Sequence, residues 1–198
     1  MKTKREDVRN IAIIAHVDHG KTTLVDELLK QSGVFRENQE VAERVMDSND
    51  IERERGITIL SKNTAVYYKD TKINIIDTPG MDDFVGGVIP ALSVAATGLL
   101  VFNAVNGVEV GTEIANRNAE KFNKPLIFVI NHLDHETSNW DNTIDMAKTT
   151  FGNKLAIIQY PVNPGVGYNA VIDVLKMKML KWAPTGGKPE ILDIPASE

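Results

Sequence analysis

Short apolar runs alternate along this chain with longer amphipathic stretches. Apolar runs bounded by turn residues are typical of buried strands, and apolar residues spaced three and four positions apart are typical of helices. The pattern predicts strands at Asn10–Ala15, Ile57–Tyr68, Lys72–Ile76, Gly98–Asn103, Pro125–Ile130 and Leu155–Tyr160, and helices at Lys21–Ser32, Asp82–Val94, Thr112–Phe122, Asn139–Phe151 and, for the most part, Val166–Leu180.

This alternation predicts an α/β fold, a doubly wound and mainly parallel sheet with helices on both faces. Ligands of such sheets bind at the carboxyl ends of the strands. The charged segment Val34–Gly56 is weakly periodic and is predicted to be a long functional loop. We expect residues 1–182 to form one domain, and residues 183–198, which are rich in proline and glycine, to form a linker or tail.

Composition and charge narrow the class of protein. The chain has 198 residues, a formal net charge of −5 and no cysteine, and its isoelectric point is about 5.4. A mildly acidic protein has no electrostatic reason to bind nucleic acid by itself, and a chain without cysteine has no disulfide or thiolate–metal site. The charged N-terminus is not a secretory signal, and no apolar stretch is long enough to span a bilayer. We therefore expect a cytoplasmic protein with no membrane partner.

The segment between the first predicted strand and helix carries the strongest chemical signal. A strand that turns tightly into a helix presents backbone N–H groups and a helix N-terminus to an anion. A lysine at the start of that helix reaches the outer phosphates of a nucleotide, and the hydroxyl that follows it is a ligand for Mg²⁺. We predict a nucleotide-phosphate loop that consists of Ala15, in place of the usual first glycine, and His16, Val17, Asp18, His19, Gly20, Lys21, Thr22 and Thr23.

Two further motifs are placed to complete that site. Asp77-Thr78-Pro79-Gly80 follows an apolar strand, so the Asp77 carboxylate can hold Mg²⁺ through water and the Gly80 N–H can bond a γ-phosphate oxygen. Thr58 ends the long loop, where its hydroxyl can bind Mg²⁺ and its backbone the γ-phosphate, and loss of that phosphate would release the loop. Taken alone, the first motif is also compatible with a plain turn and the second with the start of a strand.

Asn131-His132-Leu133-Asp134 follows another apolar strand and is predicted to read the base of the nucleotide. The Asp134 carboxylate can accept two hydrogen bonds from guanine N1 and N2, a donor pair that adenine lacks. Asn131 would brace the loop and meet guanine N7. A purely structural turn is the alternative interpretation.

Together these motifs resemble the GTP-binding domain of the translational GTPases. Residues 9–80 resemble the TypA/BipA branch of that family, on the stretches Arg9–Asp26, Glu43–Asp50 and Glu54–Leu60. From Asp82 onward the chain resembles elongation factor G paralogues of the Bacteroidetes type, on Asp82–Gly86, Gly107–Thr112, Gln159–Pro161 and Ile172–Met177. The two resemblances imply a chimera joined near Gly80 or an unusual natural intermediate.

The resemblance implies a P-loop GTPase that binds GTP or GDP with Mg²⁺ and meets a ribosome only in the full-length factor. Asp18 would face the phosphates, and Val17 and Ile57 would form an apolar gate near the attacking water. The catalytic residues implied are Lys21, Thr58 and Gly80. The residues implied at the metal are Thr22, Thr58, Asp47 and Asp77, and those at the nucleotide also include Thr78, Pro79, Met81, Asn131, His132 and Asp134.

The chain departs from the family pattern at three places. Met81 stands where the family has its catalytic histidine, and a thioether cannot position or deprotonate water, so hydrolysis should be slow. His132 replaces the lysine whose stem packs against the base. The second guanine loop, Ser-Ala-x, is not found, and we expect the chain to be a truncated piece that ends inside an inserted subdomain.

The function expected from the sequence is Mg²⁺-dependent GTP binding with weak hydrolysis. Three alternatives remain: a GTP-dependent interaction module without catalysis, a small-molecule kinase on the same phosphate loop, and a folded chain without nucleotide activity. Asn131 and Asp134 argue against the kinase, and Met81 favours the interaction module.

Overall fold

A computed structural model describes residues 5–33, 54, 58–80, 85–152 and 154–196. The predicted loop Val34–Gly56, apart from Glu54, lies outside the described residues, and so do the candidates Asp47, Ile57 and Met81. The chain divides into two compact units. The first consists of residues 1–102 and 109–129, and the second of residues 103–108 and 130–198.

The first unit is built on a five-stranded sheet with strand order β2-β3-β1-β4-β5. The central strand β1 lies parallel to both β3 and β4, whereas β2 pairs antiparallel with β3. The mainly parallel character and the central first strand agree with the predicted doubly wound fold. The strands are β1 (Val8–Ala15), β2 (Lys62–Tyr68), β3 (Thr71–Asp77), β4 (Thr97–Asn103) and β5 (Leu126–Asn131).

Helices cover both faces of this sheet. Because alternate residues of a strand point to opposite faces, one strand contributes apolar side chains to the core on each side. Ala12 and Ile14 of β1 are buried in one apolar cluster, and Ile13 and Ala15 in another. Residues of α2 (Val85–Val94) and α3 (Val110–Lys121) belong to the first cluster, and residues of α1 (Lys21–Gln31) to the second. Within the described ranges no helix is long and apolar enough to cross a membrane.

The second unit contains one helix and an antiparallel sheet. Helix α4 (Trp140–Phe151) starts at Asn139, whose side chain accepts a hydrogen bond from a backbone N–H of the first turn. The sheet has the order β6-β7-β8-β9 and buries its apolar residues on one face. Its strands are β6 (Gln159–Val162), β7 (Ala170–Asp173), β8 (Lys178–Lys181) and β9 (Glu190–Leu192).

The mostly helical prediction for Val166–Leu180 is wrong, because this segment contains the hairpin of β7 and β8. The Asp173 carboxylate accepts the Lys176 N–H at 3.0 Å, and Met177 has a left-handed φ of 51°, so the chain reverses between the two strands. The buried residues Ala170 and Ile172 lie two positions apart, as on one face of a strand. The helical prediction overlooked this period of two.

Two element boundaries and one strand also differ from the predictions. Strand β2 starts at Lys62 instead of Ile57, and β6 starts at Gln159 instead of Leu155. The segment 183–198, expected to be a linker or tail, contributes β9, which pairs with β8. Proline and glycine flank this strand rather than interrupt it, so composition alone could not reveal it.

Candidate functional site

The segment between β1 and α1 forms a tight loop. Asp18 and Gly20 have left-handed φ values of 60° and 80°. Gly20 is also the N-cap of α1, and no side chain caps the helix or places a carboxylate in its first turn. The first N–H groups of a helix have no partner within the helix. This end of α1 therefore presents uncompensated donors and a positive dipole end, which suits a phosphate.

Four of the predicted site residues come together beside this loop. The buried Lys21 Nζ contacts the carboxylate of Asp77 directly and lies 3.4 Å from Thr58 Oγ1. The Thr22 and Thr58 hydroxyl oxygens are 3.3 Å apart. Asp77 is fully buried, so the lysine compensates a charge whose burial would otherwise be very costly.

The segment that follows β3 is fixed against β1. The Thr78 hydroxyl and backbone N–H both donate to the Ile13 carbonyl, at 2.8 and 3.3 Å. A Cβ built on Gly80 would lie 3.2 Å from the Ala15 carbonyl oxygen and 3.5 Å from backbone atoms of His16. A side chain at this position would make the neighbouring backbone shift by a few tenths of an ångström, so glycine allows the close approach of this segment to the loop.

The donor set at this position fits Mg²⁺. Two threonine hydroxyls, Thr22 and Thr58, and one carboxylate, Asp77, are hard oxygen ligands. Mg²⁺ in nucleotide sites is held by one or two carboxylates together with phosphates and water. In the described part of the chain, no group of three or more His, Asp or Glu side chains is placed to hold a metal ion by itself.

The ring of His19 faces the protein interior instead of the mouth of the loop. It is 1% exposed, with Nδ1 3.2 Å from the Val101 carbonyl oxygen and Nε2 2.6 Å from Glu109 Oε2. A carbonyl only accepts, so Nδ1 carries a hydrogen and donates it. The contact of Nε2 with Glu109 holds the other side of the ring. Sequence reasoning missed Glu109 as a partner of the loop, although it lies in the Gly107–Thr112 motif.

His16 supports the loop from the same side. Its ring packs edge to face against His19 with 5.4 Å between ring centres. A Cβ on Gly111, in the first turn of α3, would lie 2.2 Å from His16 Nδ1, so only glycine accommodates the ring there. Both histidine side chains are therefore used to seat the loop, and its backbone is what the loop offers to a ligand.

In the second unit, the predicted base-reading loop follows β5 and is held by the backbone. The Asn131 carbonyl accepts the Ala104 N–H at 2.9 Å, and His132 has a left-handed φ of 56°. The Leu133 carbonyl accepts two hydrogen bonds, one from Ser138 Oγ at 3.1 Å and one from the Gly165 N–H at 2.6 Å. Asp134 is exposed at the tip, where its carboxylate is accessible to a ligand.

Comparison with known proteins gives one family for almost the whole chain. The family model "Elongation factor Tu GTP binding domain" matches residues 6–188. The putative elongation factor TypA-like SVR3 of Arabidopsis thaliana is 54% identical over 135 residues, which is 68% of this chain and 20% of that protein. The large ribosomal subunit assembly factor BipA of Bacillus subtilis is 54% identical over 141 residues, which is 71% of this chain and 23% of that protein.

A crystal structure of a protein from Thermus thermophilus has a TM-score of 0.86 at 27% identity. The match covers 96% of this chain and 28% of that one. The chain thus spans about a quarter or less of the length of the two curated relatives.

These relatives bear on the expected join near Gly80. A stretch of 141 residues in a chain of 198 cannot lie wholly on one side of that position. Similarity to BipA therefore continues through Gly80, and a chimera finds no support in these comparisons. The match of the family model over residues 6–188, together with the loop, the hydroxyls and the carboxylate described above, places the chain in the elongation factor Tu GTP-binding domain family.

Proposed function

We propose that this domain is the nucleotide switch of a translation elongation factor-like GTPase, and that it binds GTP and GDP with Mg²⁺. The observation that carries the proposal is the convergence of Lys21, Thr22, Thr58 and Asp77 beside an uncapped helix N-terminus. These are the cation, the hydroxyls and the carboxylate that a Mg²⁺–triphosphate requires.

Binding of the nucleotide replaces interactions within the protein. In the structure the Lys21 ammonium is compensated by Asp77. A bound phosphate would take over the ammonium, and the Asp77 carboxylate would then be the residue that holds Mg²⁺ or its water. Each buried charge exchanges one partner for another, so neither is left uncompensated.

Hydrolysis proceeds by in-line attack of water on the γ-phosphate. Lys21 stabilises the developing charge on the phosphate oxygens, the Gly80 N–H bonds one of them, and the Thr58 backbone helps to hold the γ-phosphate. Mg²⁺, when bound, neutralises charge on the β- and γ-phosphate oxygens. Met81 supplies neither a hydrogen-bond acceptor of useful strength nor a base for the attacking water, so we propose that turnover is slow.

Met81 also favours a second candidate function, a GTP-dependent interaction module that does not hydrolyse its nucleotide. The kinase is disfavoured by Asn131 and Asp134. A folded chain without nucleotide activity is the remaining alternative.

A titration with fluorescent GDP and GTP in Mg²⁺, with ATP as competitor, tests the proposal. Binding that unlabelled GTP reverses and ATP does not would support the guanine switch. No binding would leave only the alternative without nucleotide activity, and preference for ATP would revive the kinase.

Single-turnover GTP hydrolysis then separates the two GTP-dependent functions. Met81→His is compared with the parent chain, and both are assayed at saturating GTP. We expect slow cleavage in the parent and faster cleavage in the variant. A parent without measurable cleavage would favour the interaction module, and a variant no faster than the parent would show that residue 81 does not limit the reaction.

The proposed partner of the full-length factor is inferred from the relatives of this chain. BipA of Bacillus subtilis is named a large ribosomal subunit assembly factor, so we propose that a ribosome is the partner of the full-length factor in the cytoplasm, without autonomous nucleic-acid binding by this domain. The proposed domain covers residues 1–182 and includes the start of an inserted subdomain. The similarity of residues 82–198 to elongation factor G paralogues stays a prediction, which a comparison restricted to that half would test.

A further inference from the structure

A second loop of the second unit is joined to the base-reading loop. The Gly165 N–H donates to the Leu133 carbonyl at 2.6 Å, one residue before Asp134. Gly165 has a φ of 118°, which side-chain-bearing residues rarely adopt. The Tyr168 N–H donates in turn to the Gly165 carbonyl at 3.0 Å, so a single tight turn separates Tyr168 from the residue that holds the base-reading loop.

The tyrosine also lies within the electrostatic reach of Asp134. Tyr168 is half-buried. Burial of the phenol and, to a smaller extent, the negative charge of Asp134 raise the pKa of Tyr168 to about 12. Its hydroxyl therefore keeps its hydrogen at physiological pH, and the side chain offers a neutral aromatic face and an O–H next to the carboxylate predicted to read guanine.

We infer that Tyr168 forms a wall of the base pocket and that its ring packs against the guanine held by Asp134. The inference rests on the proposed function and names a specificity-determining residue for it. His132 occupies the position at which the resemblance expects a lysine stem against the base, and an imidazole is shorter than that stem. An aromatic side chain supplies the missing contact, because purines stack on aromatic rings.

The test uses the full 198-residue chain with Tyr168→Ala and Tyr168→Phe. Base–aromatic stacking predicts a loss of about 10- to 100-fold in GDP affinity for the alanine variant. Tyr168→Phe keeps the ring and should bind GDP within about threefold of the parent. Tyr67→Ala removes an exposed tyrosine of β2, in the first unit, and serves as the matched control with unchanged affinity.

Magnesium tripolyphosphate, a ligand without a base, separates a base contact from a structural role. Its affinity, measured by calorimetry, should be equal in the parent and Tyr168→Ala. Equal losses for tripolyphosphate and GDP would overturn the inference, since Tyr168 would then only maintain the fold. If Tyr168→Ala does not fold, Tyr168→Leu retains the apolar bulk without the ring. Its affinities for GDP and for magnesium tripolyphosphate are then compared with those of the parent in the same way.

The outcomes also separate this inference from the function on which it rests. A parent that binds GDP together with a Tyr168→Ala variant that binds it equally well would overturn the inference alone. A parent that binds tripolyphosphate and not GDP, or neither ligand, would overturn both.

Discussion

The predicted phosphate loop of the first unit and the predicted base-reading loop of the second unit are built in opposite ways. Beside the phosphate loop, Lys21 and Asp77 form an ion pair whose side chains are 6% and 0% exposed. In the base-reading loop, Asp134 is exposed, and backbone hydrogen bonds at Leu133 hold the loop in place. The first part places charge inside the protein, and the second leaves its charge in water.

The difference follows from the cost of desolvating a charge. A buried carboxylate without a cation destabilises the fold by several kcal/mol, so the phosphate site must carry its own compensation before a nucleotide binds. An exposed carboxylate needs none. Substitutions in the phosphate site should therefore change stability and binding together, whereas substitutions in the base loop should change only the choice of ligand.

The largest effect is expected for Lys21→Ala. Removal of the ammonium breaks the ion pair of the buried Asp77 carboxylate, which should lower the free energy of unfolding by about 3–5 kcal/mol. It should also abolish detectable GDP and GTP binding, because the ammonium that meets the phosphates is lost. Urea denaturation and fluorescent-nucleotide titration measure the two effects.

Lys30→Ala is the matched control on the same helix. Lys30 contacts Glu27 at 2.8 Å with both side chains substantially exposed, and such pairs contribute roughly 0.3–0.5 kcal/mol. Equal destabilisation by the two variants would contradict the distinction between buried and exposed charge.

Asp134→Asn should change the preferred nucleotide without changing stability. The amide can donate to the oxygen that xanthine carries at position 2, but it no longer accepts both guanine hydrogens. We expect GDP affinity to fall by about 10- to 100-fold and XDP to bind better than GDP. Competition between the two nucleotides measures this, and a marked fall in the unfolding free energy would argue for a structural turn instead.

Gly80→Ala should have a smaller effect that depends on the γ-phosphate. The added methyl would press on the Ala15 carbonyl at 3.2 Å, so the segment must shift by a few tenths of an ångström. We expect GTP affinity to fall by about threefold to tenfold and GDP affinity to change little.

Gly86→Ala in α2 provides the contrast, because nothing lies within 4 Å of its added Cβ. Alanine there should raise stability by about 0.5–1 kcal/mol through helix propensity and leave GTP binding unchanged. A loss of GTP affinity as large as that of Gly80→Ala would show that the close approach to the loop is not the cause.

The smallest effect is expected at Asp173, in the turn between β7 and β8. Hydrogen bonding from the Lys176 backbone N–H, followed by other contacts with Lys176, lowers the pKa of Asp173 below its ordinary value of 3.8. A lowered folded-state pKa stabilises the fold above the unfolded value and loses that contribution as pH falls through the folded value.

Asp173→Asn should therefore reduce the difference in thermal midpoint between neutral pH and the acid range below about pH 4. The parent and the variant are compared by thermal unfolding across that range. If the thermal midpoint depends on pH identically in the two proteins, ionisation of Asp173 does not contribute to stability.

Periodicity predicted most elements of the first unit and the helix of the second. β1, α1, α3, β4, β5 and α4 were each found within two residues of their predicted ends. The failures lie where an element is short and only one of its faces is buried. The apolar residues of Ala170–Asp173 are also compatible with a helix, and pairing with β6 and β8 decides that the segment is a strand.

The residues of the candidate site were likewise predicted only where a local motif contains them. Lys21, Thr22 and Asp77 follow from motifs that need only a strand and a turn. The partners Glu109 of His19 and Gly165 of Leu133 lie 90 and 32 positions away in sequence, and no local pattern announces such pairs. Each pair forms only when the folded chain brings a loop against a segment that is distant in sequence.

By itself, the sequence determined the α/β class, the phosphate loop and the residue types of the site, because these depend on local periodicity and on chemistry at short spacing. Only the tertiary structure decided that Lys21 and Asp77 are buried together, that the histidine rings face α3, and that Gly165 bonds to the loop of Asp134. Those arrangements depend on the desolvation of charges and on backbone bonds between distant segments, and both arise when the chain packs.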